Sequence, residues 1–118
     1  MGNVSMHRKA YVCAPYSADL EIAIDANIRR AIDYAEAIYK LGYIPITPHV
    51  LFSFIKNEES EDDRKWAVKA DLEILKMCDV LFICGDKVTR GMKKEIQFAK
   101  KIGLQIKRIS DEEELKHE

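Results

Sequence analysis

Two carboxylates stand where helical spacing calls for apolar side chains. Glu95 has Met92 one turn before it, Phe98 and Ala99 one turn after it, and Ile102 beyond. Lys93, Lys94, Gln97, Lys100 and Lys101 mark the solvated face of the same segment. Asp71 is placed alike, with Ala67 and Leu75 four residues to either side. A carboxylate among apolar neighbours is costly unless it is paired or hydrogen-bonded. Its acidity is therefore shifted, and shifted groups gather at functional sites. The plainer reading of Glu95 is a boundary residue that pairs with a lysine or satisfies backbone N–H groups of the preceding loop. Asp71 has the weaker claim of the two, because acids often sit at the margin of an apolar stripe. Thr89-Arg90-Gly91 stands ahead of a helix start, where free N–H groups and the helix dipole favour an anion. By type alone, His49 after Pro48 is a loop histidine and Tyr11 a core residue.

The elements that must hold these groups alternate between short apolar runs and helical periodicity. Residues 9–14 form an apolar run stopped by Pro15, as expected of a buried strand. A helix is expected from about Asp19 or Asp25 to Leu41, with Ile28, Ile32, Ala35 and Ile38 or Tyr39 on its inner face and Gly42 ending it. Residues 43–47 are the second strand, closed by Pro48. An irregular stretch from His49 to Ser60 follows, with an apolar patch over residues 50–55 that suits a short helix. Ser60 opens a long helix to about Met77, with acids in its first turn. Residues 80–84 form the third strand, closed by Gly85. A helix over 91–102 is capped by Gly103, and 104–109 is a fourth strand. Residues 110–113 resemble a capping box that starts a short terminal helix.

This order implies one domain over residues 1–118, a three-layer α/β sandwich of flavodoxin or Rossmann type with a four- to five-stranded parallel sheet. Strands apolar throughout, rather than alternating, fit burial on both faces. In such sheets ligands bind beyond the carboxyl ends of the strands. Four segments should therefore meet at one crevice: Ala14-Pro15-Tyr16-Ser17, residues 47–50, Gly85 to Arg90, and the helix from Gly91.

Composition narrows the partners. The 19 basic and 20 acidic residues leave a formal charge of −1, which gives no basic excess for nucleic acid or an anionic membrane. No segment approaches the roughly 20 apolar residues needed to cross a bilayer. Cys13, Cys78 and Cys84 are odd in number and lack C-x-x-C spacing, so they read as reduced core residues, and no Cys/His cluster suggests a metal. The first nine residues lack the apolar stretch of a signal peptide, and a cytoplasmic location is expected.

Taken together, these residues resemble the nucleoside 2-deoxyribosyltransferase superfamily, which includes the 2'-deoxynucleoside 5'-phosphate N-hydrolases. The resemblance runs from Tyr11 to about Ile106. Tyr11-Val-Cys-Ala-Pro15 is similar to the family's opening strand, with Tyr11 at the active-site tyrosine. Asp71, eight residues before Asp79 at the next strand, resembles the family's helix-to-strand segment. Thr89-Arg90-Gly91-Met-Lys-Lys-Glu95, followed by Ala99 and Gly103, resembles the glycine-containing turn that leads to its nucleophilic glutamate. His49 matches a histidine of the nucleotide hydrolase branch.

The resemblance implies cleavage or transfer of the N-glycosidic bond of a 2'-deoxynucleoside or its 5'-monophosphate. Glu95 would be the nucleophile, Asp71 the partner of the departing base, and Tyr11 would orient Glu95. Ala14, Pro15, Tyr16, Ser17, His49, Gly85, Thr89, Arg90 and Gly91 would contact the substrate. No cofactor and no metal are implied, and a homodimer or larger homo-oligomer is. Thr89 stands where the transferases carry an aspartate, and a hydroxyl tolerates a phosphate that an aspartate would repel. The first loop, in contrast, lacks the glycine-rich, arginine-bearing sequence of the nucleotide hydrolases and is closer to small phage-type and bacterial relatives. The competing class is a non-catalytic nucleotide-binding or sensor domain of the same fold. A receiver-like module fits less well, because Pro15-Tyr16-Ser17 and Gly85 occupy strand ends where receivers need acids.

Overall fold

The computed structural model describes residues 7–15, 21–54 and 60–111. The elements run in the order β1 (Lys9–Cys13), α1 (Glu21–Lys40), β2 (Ile44–Ile46), α2 (Pro48–Leu51), α3 (Glu61–Lys76), β3 (Val80–Cys84), α4 (Arg90–Lys101) and β4 (Gln105–Ile109). Four parallel strands form one sheet in the order β2-β1-β3-β4. The chain leaves β1 toward β2 and then crosses back over β1 to β3. The strand order therefore reverses between β1 and β3, where this sheet type opens a ligand crevice.

Alternation along β1 and β3 divides the core in two. Ala10, Val12 and Ala14 join Val80, Phe82 and Cys84 on the face covered by Tyr34, Ala37 and Ile38 of α1. Tyr11, Cys13 and Leu81 face the opposite way, against Leu75 of α3 and Met92, Ile96 and Ala99 of α4. β1 and β3 are thus buried on both sides, as their unbroken apolar runs require. The three cysteines are free thiols in these two cores.

Local signals set the element ends. Ser60 accepts a hydrogen bond from the Asp63 amide (2.9 Å), and Glu61, Asp62 and Asp63 occupy the positive end of α3. Gly42 and Gly103, both at positive φ, close α1 and α4. In each case the residue beyond the glycine donates back into the helix, Tyr43 to Ile38 (3.4 Å) and Leu104 to Ala99 (2.9 Å).

The inner face of α1 differs from the expected one. Ala31, Tyr34, Ala37 and Ile38 are buried, while Ile32 is 48% and Tyr39 67% exposed. Ile38 and Ala35 pack on the core as expected, but the face is centred on Ala31, Tyr34 and Ala37 rather than on Ile32. Of the apolar patch at 50–55, Leu51 and Phe54 are exposed and Ile55 lies outside the described residues. Phe52 packs edge-on against Trp66, with ring centres 5.0 Å apart. The helix start expected at Asp19 and most of the terminal helix expected from residues 110–113 fall outside the described residues. No helix among the described residues is long and apolar enough to cross a membrane.

Candidate active site

Glu95 sits in the second turn of α4 and is the one buried charged residue among those described, at 9% exposure. Met92 and Ala99 flank it on the buried face, as periodicity requires. Ile102, expected to continue that stripe, is 40% exposed, because the helix has already ended at Lys101.

Three side chains converge on the Glu95 carboxylate. The Tyr11 hydroxyl donates to Oε2 at 2.8 Å and the Cys13 thiol approaches Oε1 at 3.4 Å. Asp71, from α3, is hydrogen-bonded to the same carboxylate. A bond between two carboxyl groups requires a proton on one of them. Burial holds Glu95 above the ordinary carboxylate range, and the bonds from Tyr11, Cys13 and Asp71 pull it back down. Burial, then the charge of Glu95, pushes the Tyr11 phenol well above its usual value, so it remains a donor.

Glu95 and Asp71 open onto a cavity of about 550 Å³, within the size range of small-molecule sites. Val68, Leu72, Met92 and Phe98 form its apolar wall, while Arg64, Arg90 and Lys94 bring three cations to its lining. Ala14, His49, Thr89 and Gly91 complete the side nearest the strand ends. Thr89 caps α4: its hydroxyl oxygen accepts from the Met92 amide at 3.2 Å, which leaves the hydroxyl proton able to donate. His49 bonds the backbone of Ala14, and burial pushes it down to about 4, so the imidazole is neutral at pH 7.

The structure thus brings Glu95, Asp71, Ala14, His49, Thr89, Arg90 and Gly91 together around the cavity, with Tyr11 beneath Glu95. Pro15 is not among the lining residues. Gly85 is turned to the other face of the sheet, where a side chain at this position would strike the Tyr34 hydroxyl at 2.7 Å. That hydroxyl belongs to a cluster with Arg30 and Asp111. Tyr16 and Ser17 lie outside the described residues. Sequence reasoning missed Cys13, which shares Tyr11's face of β1 two residues on. It also missed Arg64 and Val68; Lys94, read as part of the solvated face, is exposed as expected and also lines the cavity. Among the described residues no group of three or more His, Cys, Asp or Glu side chains is arranged to hold a metal ion.

Comparison with known proteins agrees with this architecture. A solved structure of a 2-deoxyribosyltransferase from the psychrotolerant bacterium Bacillus psychrosaccharolyticus superposes with a TM-score of 0.65 at 21% identity, covering 86% of this chain and 72% of that one. At that identity the match establishes the shared fold, the three-layer parallel architecture expected from the sequence. No curated protein matches the sequence. The family model described as Domain of unknown function (DUF7768) matches residues 8–109, nearly the whole of the sheet and its helices, and the chain belongs to that family.

Proposed function

We propose that this protein cleaves or transfers the N-glycosidic bond of a 2'-deoxynucleoside or its 5'-monophosphate, with Glu95 as nucleophile. The observation that carries the reading is Glu95 itself. It is a buried carboxylate at the wall of a ligand-sized cavity, and it is bonded to a phenol, a thiol and a second carboxyl group.

In the reactive state the shared proton resides on Asp71 and Glu95 is ionised. A Glu95 oxygen attacks C1' of the sugar, and the C1'–N bond breaks with its electron pair leaving on the base. Asp71 gives its proton to the departing base. The product of this step is a glycosyl ester on Glu95, as in retaining glycoside hydrolysis. Water, or a second base, then attacks C1', Asp71 takes the proton it releases, and the C1'–O bond breaks to return Glu95 to its carboxylate. Tyr11 keeps the nucleophilic oxygens oriented throughout. The apolar wall of Val68, Leu72 and Phe98 suits a flat nucleobase, and the cations Arg64, Arg90 and Lys94 suit a 5'-phosphate. Thr89 can add a hydroxyl donor to that phosphate.

The test is release of free base from a panel of 2'-deoxynucleosides and their 5'-monophosphates, followed by chromatography. Base release is expected, with higher kcat/KM for the monophosphates and at least about tenfold loss of that preference in Arg90→Ala, as for one charge-assisted contact. Tight nucleotide binding with no base released from any substrate would replace this reading with a non-catalytic nucleotide-binding domain.

A further inference from the structure

The Cys13 thiol is fully buried and has two acceptors within reach, Oε1 of Glu95 at 3.4 Å and the Met92 carbonyl at 3.9 Å. The carboxylate oxygen is nearer, and it is charged when Glu95 is ionised, so it competes better for the S–H proton. Tyr11, two residues earlier on the same face of β1, already holds Oε2. One strand therefore delivers a donor to each oxygen of one carboxylate. Burial and the adjacent Glu95 keep the thiol protonated well beyond its usual range. It does not line the cavity, so substrate does not reach it.

We propose that Cys13 is a positioning residue for Glu95, its S–H and the Tyr11 O–H together fixing the carboxylate's orientation and favouring its ionised form. This rests on Glu95 being the reacting group, as in the function proposed above. The other groups facing Glu95 are Tyr11 on β1 and Asp71 on α3. Arg64 on α3, His49 on α2, and Arg90 and Lys94 on α4 share the cavity wall.

The contact is measurable without any substrate. Carbon-13 NMR of protein labelled at glutamate carboxyl groups follows the Glu95 titration, its signal assigned by disappearance in Glu95→Gln. Cys13→Ala, which lacks a donor, is expected to raise the Glu95 midpoint by about 0.5–1 pH unit, the size of one modest hydrogen bond to a charge. Cys13→Ser, which restores a donor, is expected to return most of that shift. In turnover, Cys13→Ala should lower kcat about 3–10-fold, the same interaction read as a rate, with KM unchanged. A midpoint unmoved in Cys13→Ala, or moved equally in Cys13→Ser, overturns the proposal.

The infrared S–H stretch of the unmodified protein supplies a reading that does not depend on either variant folding. It should shift as Glu95 ionises and stay fixed in Glu95→Gln, and a band unmoved in both proteins overturns the proposal. A protein that shows these shifts but releases no base would contradict the proposed function and leave the Cys13–Glu95 coupling standing.

Discussion

The Tyr11 phenol and the Glu95 carboxylate stand 84 positions apart in the chain and meet at 2.8 Å, the hydroxyl donating to Oε2. Tyr11 comes from β1, a central strand whose neighbours β2 and β3 fix its twist and height. Glu95 comes from α4, anchored by Met92, Ile96 and Ala99 against the same face. Each residue is held by its own element, so the bond between them is set by the packing of helix on sheet rather than by local chain geometry. Removing the hydroxyl leaves that packing in place.

Tyr11→Phe is therefore expected to fold as the parent does while kcat falls roughly 10–100-fold, the scale of one hydrogen bond to a charged group. KM should change by less than about twofold, since the phenol lies under the nucleophile and away from the ligand. Steady-state kinetics on a substrate that releases base would check both. A large rise in KM at unchanged kcat would assign Tyr11 to binding.

Glu95 also carries a stability signature. Its value in the folded protein is raised by burial above the ordinary 4.5. A group raised on folding holds its proton more tightly in the folded state. Its stabilising contribution is complete below the unfolded value and is lost as pH rises through the folded one. Glu95→Gln, neutral at every pH, should thus melt above the parent at pH 7. The gap should close below about pH 4.5. Thermal melts across pH 4–8 measure it, and a Gln variant less stable at pH 7 would mean that the ionised carboxylate supports the fold.

His49 acts in the opposite sense. Burial lowers it from 6.5 to about 4. A base depressed on folding contributes stability that is present above pH 6.5 and lost as pH falls toward 4. The parent should lose stability over that window, and His49→Gln should flatten the loss. A Gln variant with the same acid slope would place the sensitivity elsewhere.

Asp71→Asn keeps a hydrogen-bonding group of the same shape but no transferable proton. Turnover should fall about 10²–10⁴-fold on ordinary bases, the usual range for a general acid. The loss should shrink on a substrate whose base departs without protonation. An equal loss on both substrates would make Asp71 a positioning group only.

Much of the frame was legible because burial leaves a pattern. Residues 80–84 are apolar without interruption between Asp79 and Gly85, and the strand has those bounds. Gly42 and Gly103 follow the last turns of their helices, and both close them. The inner face of α1 was read correctly at Ile38 and Ala35 but wrongly at Ile32, because Ala31 and Ala37 bury little area each and give a weak periodic signal beside it. Glu95 and Asp71 were legible as charges in apolar stripes. The opposite case was hidden: Arg64 and Lys94 line a cavity open to water, where charged side chains follow the same pattern as any exposed face. Cys13 was read as core, which it is, and its second role depends on a contact with a helix 82 positions away.

The most direct test is mass spectrometry of the intact protein, quenched in acid during turnover of a 2'-deoxynucleoside or its 5'-monophosphate. The expected result is a mass increase of one deoxyribosyl or phosphodeoxyribosyl group, mapped to the peptide bearing Glu95 and absent in Glu95→Ala. Base release that persists in Glu95→Ala, or an adduct on another residue, would contradict the assignment of Glu95 as nucleophile.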